Sequence, residues 1–324
     1  MQSIFTILAG FTLFILNSNR AEAQVWMPAE PMNLPQERHE NGMAEANGKL
    51  YLIGGRGDRK VEEYDIKSET WTEKARPPIE LHHFQAVTFN NEIYLLGGFT
   101  GGFPHEKPMT HIQIFNPIKN EWREGARIPE DRLRGAAGVF VYRNKIYLVC
   151  GIQDGHWDGH VAWFDEFDPK TNTWEKLPDA PRPRDHFQVA VIDDKLYVAG
   201  GRRSSAKTKE FLTLTVGEVD IYDFKTGKWS SADQMLPTHR AGTTTVAFGK
   251  KVLVIGGESN KQEASHREVE AFNPKSGKWE TLMPLIQGRH GTQAVFLNGR
   301  VYIVGGSGNR GGGPELNSME ILVK

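Results

Sequence analysis

The sequence predicts an all-β fold built from six copies of one unit, and two recurring features predict it. A short apolar strand that ends in Gly-Gly or Cys-Gly occurs six times, at 49–55, 91–98, 144–151, 194–201, 251–257 and 299–306. A tryptophan recurs 45, 51, 52, 55 and 50 residues apart, at Trp26, Trp71, Trp122, Trp174, Trp229 and Trp279. Periods of about 50 residues are typical of propeller-type arrays, in which each unit becomes one blade.

The third unit shows how one copy would form a blade. Residues 135–142 and 145–150 are apolar, β-rich segments joined by the two-residue turn Arg143-Asn144, which is typical of a tight hairpin. A third strand near 161–167, a polar turn at 168–173 and a fourth strand around Trp174 complete the unit. We therefore expect each blade to be a four-stranded antiparallel meander.

The repeat resembles the Kelch repeat. Paired glycines close the second strand, a Pro-rich link leads into the next unit, and an aromatic residue precedes the tryptophan, at Tyr64, Phe115, Phe167, Tyr222 and Phe272. The resemblance covers residues 24–324 and implies a six-bladed Kelch β-propeller. It leaves the function open, because Kelch propellers include enzymes, actin binders and substrate adaptors.

The two ends of the chain are expected to share a blade. The sixth unit ends at 319–324 with its third strand and no tryptophan behind it, while Trp26 stands alone at the N-terminus. We predict that the strand around Trp26 completes the last blade, which closes the ring and leaves no long open edge.

Residues 1–23 are predicted to be a signal peptide. The apolar run 4–16 is too short to span a bilayer of about 30 Å, and Ala21-Glu22-Ala23 offers small residues for cleavage. The alternative is a leader that stays attached, because no Lys or Arg precedes the run. We expect a secreted or periplasmic monomer that is not anchored in a membrane.

Net charge and cysteine content bear on which partners and which chemistry to expect. The formal charge is −1, with 39 basic and 40 acidic residues, so nothing favours nucleic acid or an anionic membrane as partner. Cys150 is the one cysteine in the sequence and replaces a glycine at the end of an apolar strand, so we expect it to be buried rather than nucleophilic.

Candidate ligand-binding residues collect on one face of the expected propeller. The two-to-three loops and the four-to-one links emerge there, and all eleven histidines lie in or beside these connections. The links carry Arg38, His39, His82, His83, Arg134, Arg184, His186, His239, Arg240, Arg289 and His290. These residues either satisfy backbone carbonyls near the channel mouth or form a cationic pocket for a carboxylate, sulfate or phosphate group.

The loop at 154–163 departs most from the repeat pattern. His156, Asp158 and His160 have a spacing that brings metal ligands together, but no fourth ligand is defined, so we predict no metal and no cofactor. Trp157 is expected to offer an aromatic platform to a sugar or peptide, and Trp163 to lie in the core. The tripeptide at 56–58, Arg-Gly-Asp, is expected to form a turn.

The sequence resembles the known Kelch enzymes less closely than it resembles the Kelch repeat itself. The copper oxidases of this fold need pocket tyrosines and a cysteine-tyrosine crosslink, whereas all eight tyrosines here lie in predicted strands. Secreted sialic-acid mutarotases are similar in size and export, but their insertions are not recognisable in this chain.

These observations favour a secreted, non-catalytic binding propeller whose His/Arg face recognises an anionic glycan or a protein partner. The alternative is an extracellular sugar-active enzyme, an epimerase, mutarotase or uronate lyase, with a histidine base and an arginine that neutralises a carboxylate. An enclosed site with a perturbed histidine would favour the enzyme, and an open rim would favour the binder.

Overall fold

The computed structural model describes residues 24–323, and these form six four-stranded antiparallel blades, as predicted. In strand order, the first three blades comprise Asn41–Ala46, Lys49–Gly54, Glu62–Asp65 and Thr70–Glu73; Val87–Phe89, Glu92–Leu95, His111–Asn116 and Glu121–Arg127; and Gly138–Tyr142, Lys145–Val149, Phe164–Asp168 and Thr173–Leu177. The last three comprise Val189–Ile192, Lys195–Val198, Asp220–Asp223 and Lys228–Ser231; Thr244–Phe248, Lys251–Ile255, Val269–Asn273 and Lys278–Thr281; and Ala294–Leu297, Arg300–Val304, Met319–Val323 and Val25–Pro28.

Three two-to-three loops contain short hairpins that the repeat pattern does not predict. They pair Phe99–Thr100 with Lys107–Pro108, Ile152–Asp154 with Asp158–His160, and Ser307–Asn309 with Gly313–Glu315. Between residues 24 and 323 the helical structure is one 3₁₀ turn, Glu130–Arg132, and no helix there is long and apolar enough to cross a membrane. The predicted signal peptide, residues 1–23, lies outside the described residues.

The N-terminal strand closes the ring, as predicted. Trp26 lies opposite Leu322, and Val25–Pro28 runs antiparallel to the last strand of the chain. The Trp26 side chain is 7% exposed and belongs to the apolar cluster between the fifth and sixth blades. The last blade is therefore built from both ends of the chain.

The recurring tryptophans pack between neighbouring blades. In the first blade Trp71 lies opposite Tyr64 on the adjacent strand, and their ring centroids are 4.9 Å apart. The equivalent pairs are Phe115–Trp122, Phe167–Trp174, Tyr222–Trp229 and Phe272–Trp279. Within residues 24–323, six of the apolar clusters lie one at each blade interface. The aromatic spacing of the repeat is thus a cross-strand contact that seals each interface.

Two predictions were made for the third blade: the burial of Cys150 is confirmed, and the core position of Trp163 is wrong. Cys150 is fully buried, as expected, with φ of 55° at the position where the other repeats have the first glycine of the pair. Burial raises the pKa of its thiol to about 12, which keeps it protonated. Trp163 is not in the core: it is partly exposed, precedes the third strand, and lies 4.5 Å from the guanidinium carbon of Arg132. A cation–π contact holds it in place instead of apolar packing.

A ring of backbone hydrogen bonds joins the blades around the channel. Just before the first strand of each blade, one residue has φ between 49° and 63°, at Glu40, His83, Ala136, His186, Gly242 and Gly291. We call these the ring residues. The amide of each later ring residue donates to the carbonyl of the one before it, and the Asn41 amide donates to Gly291 to complete the circle. The ring residues are therefore fixed by the backbone whatever side chain they carry.

Candidate functional site

Five predicted ligand-binding arginines are structural instead. Arg184 is fully buried: it donates to the Gly200 carbonyl at 2.8 Å and to Asp220 Oδ2 at 2.7 Å. The same contacts recur in four other blades, in the pairs Arg38–Glu62, Arg134–Asp165, Arg240–Glu270 and Arg289–Glu320. This is the carbonyl-satisfying role, so these guanidinium groups are committed within their own blades and do not reach a ligand.

A cavity of about 270 Å³ opens at the channel mouth, on the face that carries the two-to-three loops. We call it the mouth cavity. Its lining includes four of the predicted histidines, His39, His83, His156 and His290, together with Glu40, Arg56, Phe103, Arg202, Phe211 and Glu258. Phe103 is 56% exposed, whereas the histidines and Glu258 are buried. The cavity thus has an aromatic rim and a polar floor.

The remaining predicted residues lie around this cavity or away from it. His82 is buried beneath His83, and His186 lines a smaller cavity of about 40 Å³ in the channel below, room for a few waters. His160 does not line the mouth cavity: its Nε2 lies 2.6 Å from the Ser204 carbonyl oxygen and 3.5 Å from Asp185 Oδ2. His239 and Trp157 do not line the mouth cavity; Trp157 packs on His105, with ring centroids 4.7 Å apart.

Each buried carboxylate of the site lies beside a histidine. Glu106 Oε1 is 2.9 Å from His156 Nδ1, Asp185 Oδ1 is 2.5 Å from His186 Nδ1, and Glu258 Oε2 is 3.4 Å from His290 Nε2. The fourth carboxylate, Glu40, has Oε2 3.3 Å from His83 Nε2. Two guanidinium groups join this network: Arg56 pairs with Glu106, and Arg202 with Glu258.

These contacts keep the carboxylates ionised. Burial opposes ionisation of Glu258, but His290 and Arg202 hold its pKa well below the ordinary value. His156 and Arg56 do the same for the pKa of Glu106, and His186 lowers the pKa of Asp185 to about 2 against burial. The pKa of Glu40 is also lowered, since His290 and His39 outweigh its burial.

Two buried histidines of the network, His186 and His83, have lowered pKa values. Burial, together with the positive charge of Arg202, lowers the pKa of His186 to about 4. Burial also brings the pKa of His83 well below the ordinary value, and His82 and His186 add to that effect. Four carboxylates thus face two guanidinium groups in this network, so the floor is not the cationic pocket that the sequence suggested.

Residue type alone does not identify several of the site residues. Arg56, Arg202 and Glu258 each follow a glycine pair directly, where the other three blades have the uncharged residues Phe99, Ile152 and Ser307. A charged residue at that position is a signal that comparison of the repeats could have found. Glu106 and Phe211 lie in loops without repeat symmetry, and no pattern in the sequence marks them.

Comparison with known proteins agrees with the fold. The model of the Attractin/LZTR1 beta-propeller family matches residues 13–264. Kelch-like protein terF of Aspergillus terreus is 27% identical over 83% of this chain and 61% of its own length. Kelch-like protein 38 of Rattus norvegicus is 25% identical over 79% of this chain and 42% of its own length, so the chain spans only part of these relatives.

Among solved structures, that of YjhT superposes with a TM-score of 0.77 at 17% identity and covers 91% of this chain and 97% of that one. At that identity the likeness concerns the fold alone. The repeats, the six blades and the family match agree with one another. The chain therefore belongs to the Kelch-repeat β-propellers, in the Attractin/LZTR1 beta-propeller family.

Proposed function

We propose that this protein is a binding propeller that takes the end of a glycan into the mouth cavity. The observation that carries the proposal is the combination of a recessed polar floor with an exposed aromatic rim. Sugar hydroxyl groups donate to carboxylates and accept from guanidinium groups, and an aromatic side chain packs against the apolar face of a sugar ring. A flat protein surface would contact the rim without entering the recessed floor.

The charge of the floor bears on which glycan binds. Glu40 and Glu258 line the cavity together with Arg56 and Arg202, both arginines are already paired, and the buried carboxylates of Glu106 and Asp185 lie behind this lining. A neutral sugar end meets this floor without repulsion, whereas an acidic sugar requires an additional positive charge beside it. Neutral glycans are therefore the first ligands to screen, and acidic glycans of the same length are the matched comparison. Export to the secreted or periplasmic space, where such glycans occur, remains part of the proposal.

A glycan-array screen tests the proposal with two phenylalanine variants. Phe103, at the rim, is 56% exposed, and Phe296 is 46% exposed beside the opposite opening of the channel. We expect Phe103→Ala to weaken binding of an array hit about tenfold, as for a packed aromatic contact at an interface, and Phe296→Ala to leave it unchanged. Failure of the wild-type protein to bind any glycan, or equal losses in both variants, would contradict the proposal.

A sugar-active enzyme is the second candidate, because the floor carries carboxylate–histidine pairs. Glu106 beside His156 and Asp185 beside His186 have the arrangement in which a carboxylate orients a histidine base. Nuclear magnetic resonance of each array hit in D₂O, with and without the protein, separates the two candidates. Faster anomer interconversion, deuterium incorporation or new olefinic signals indicate turnover. A ligand that binds and stays unchanged identifies a binder.

A further inference from the structure

Three buried histidines from three different blades converge where the mouth cavity meets the smaller cavity of the channel below. His83 and His186 are ring residues before the second and fourth blades, and His156 lies in the two-to-three loop of the third. Each offers one ring nitrogen, and these three nitrogens lie within 4.8 Å of one another.

Hydrogen-bond partners determine which ring nitrogen of His83 is free. The Gly101 carbonyl can only accept, so His82 Nε2, at 2.8 Å, is the donor. His82 Nδ1 then accepts from His83 Nδ1, at 2.7 Å. His83 therefore keeps an unprotonated Nε2, with a lone pair available.

The other two histidines are oriented by carboxylates. Asp185 accepts from His186 Nδ1, and Glu106 lies within ion-pair distance of His156 Nδ1. Nε2 is the free nitrogen of His186 and is buried without a hydrogen-bond partner, and in His156 it is Nδ1, beside Glu106, that has no hydrogen-bond partner. A histidine whose second nitrogen is held by a carboxylate is the usual arrangement of a metal-ligating histidine.

The Glu40 carboxylate lies beside one of the three histidines but outside the group that they form. Glu40 Oε2 lies 3.3 Å from His83 Nε2, so two acceptors face each other without a hydrogen between them. Metal–nitrogen bonds of 2.0–2.1 Å place the nitrogens of a tetrahedral site about 3.3 Å apart, so each histidine nitrogen needs to move inward by at most about 0.9 Å. Rotations of the side chains achieve this while the ring backbone stays fixed.

We propose that His83, His156 and His186 bind a divalent transition metal ion through one ring nitrogen each, with Zn²⁺ as the ion that three imidazoles fit best. Three histidine nitrogens and an open fourth position are a donor set that zinc accepts. The ion would offset the excess of carboxylates in the floor and satisfy the buried His186 nitrogen. This inference stands on the histidine geometry and does not depend on the proposed glycan ligand.

Cobalt titration of the tag-free full chain after chelator treatment tests the site. Co²⁺ replaces Zn²⁺ in such sites and absorbs visible light according to its ligands and geometry. We expect one equivalent of Co²⁺ to produce a saturable visible spectrum, and Zn²⁺ to displace it. Asn accepts the left-handed backbone, so His83→Asn and His186→Asn are the test variants, and each should weaken binding by about 100-fold or more.

His239→Asn is the matched control, because His239 lies on an equivalent link but outside the cluster. Glu106→Gln tests orientation by the neighbouring carboxylate and should weaken binding by about 10–100-fold. Thermal unfolding of each metal-free variant confirms that it is folded before the titration. Absence of stoichiometric binding to the folded wild type, or an equal loss in His239→Asn, would overturn the proposal. Either result leaves the glycan screen as an independent measurement.

Discussion

Truncation of Trp26 tests whether closure of the ring by the N-terminal strand holds the propeller together. The Trp26 side chain is 7% exposed and packs in the cluster that contains Leu253, Val301 and Leu322. Replacing a buried tryptophan by alanine typically costs about 3–5 kcal/mol. For a domain of this size the entropy of unfolding is roughly 0.6 kcal/mol per kelvin, so Trp26→Ala should lower Tm by about 5–8 °C.

Differential scanning calorimetry of the folded chain measures this shift, with Met27→Ala as the control. Met27 neighbours Trp26 on the same strand but is 51% exposed, so its truncation should change stability by no more than about 0.5 kcal/mol. Deletion of residues 24–27 removes three of the four residues of the strand and should lower Tm further than Trp26→Ala. An unchanged Tm in Trp26→Ala, or equal shifts in the two point variants, would refute the closure argument.

Three further predictions concern stability and reactivity. Arg184→Ala should lower the free energy of unfolding by about 1–3 kcal/mol in urea, because the buried Gly200 carbonyl and Asp220 Oδ2 lose their guanidinium donor while Arg182 still pairs with Asp220, and an unchanged free energy of unfolding would contradict the structural role. Cys150, whose pKa burial raises to about 12, should resist a thiol reagent at pH 8 until urea unfolds the protein, and rapid labelling of the folded chain would count against its burial. The Lys145 side chain and the Lys170 amide lower the pKa of Asp168 to about 2, so its stabilising contribution is present above pH 4 and lost as pH falls towards 2. The stability gap between wild type and Asp168→Asn should close over that window, and a constant gap would oppose the assignment.

The fold could be predicted from the sequence because every blade repeats the same contacts. The Tyr64–Trp71 spacing, repeated in four more blades, is one cross-strand contact, so sequence periodicity translates directly into geometry. Ring closure followed from counting, since Trp26 was the one repeat tryptophan without strands before it. Trp163 was misplaced because residue type alone does not reveal a cation–π partner such as Arg132.

The site was predicted only in part, because repeat positions reveal where a residue lies but not what its side chain meets. His83, His156 and His186 were expected on the correct face, yet their convergence depends on blades far apart in sequence. Arg184 was on the same face and points into its own blade, toward Asp220. Glu106 reaches His156 across 50 residues from a loop without a counterpart in other blades, and no spacing rule anticipates that contact.

The hydrogen-bonded backbone circle around the channel joins the blades without using the side chains that lie at its mouth. Because the blades are joined there through amides and carbonyls, the side chains at the six positions take no part in the joints. Three positions carry Glu or His, and the others carry Ala or Gly. The glycine positions are crowded, since a Cβ would lie 3.2 Å from His290 Cβ at Gly242 and 2.7 Å from Glu40 Oε1 at Gly291. Substitution at Ala136 would add a functional group facing the same axis without touching a bond that joins two blades.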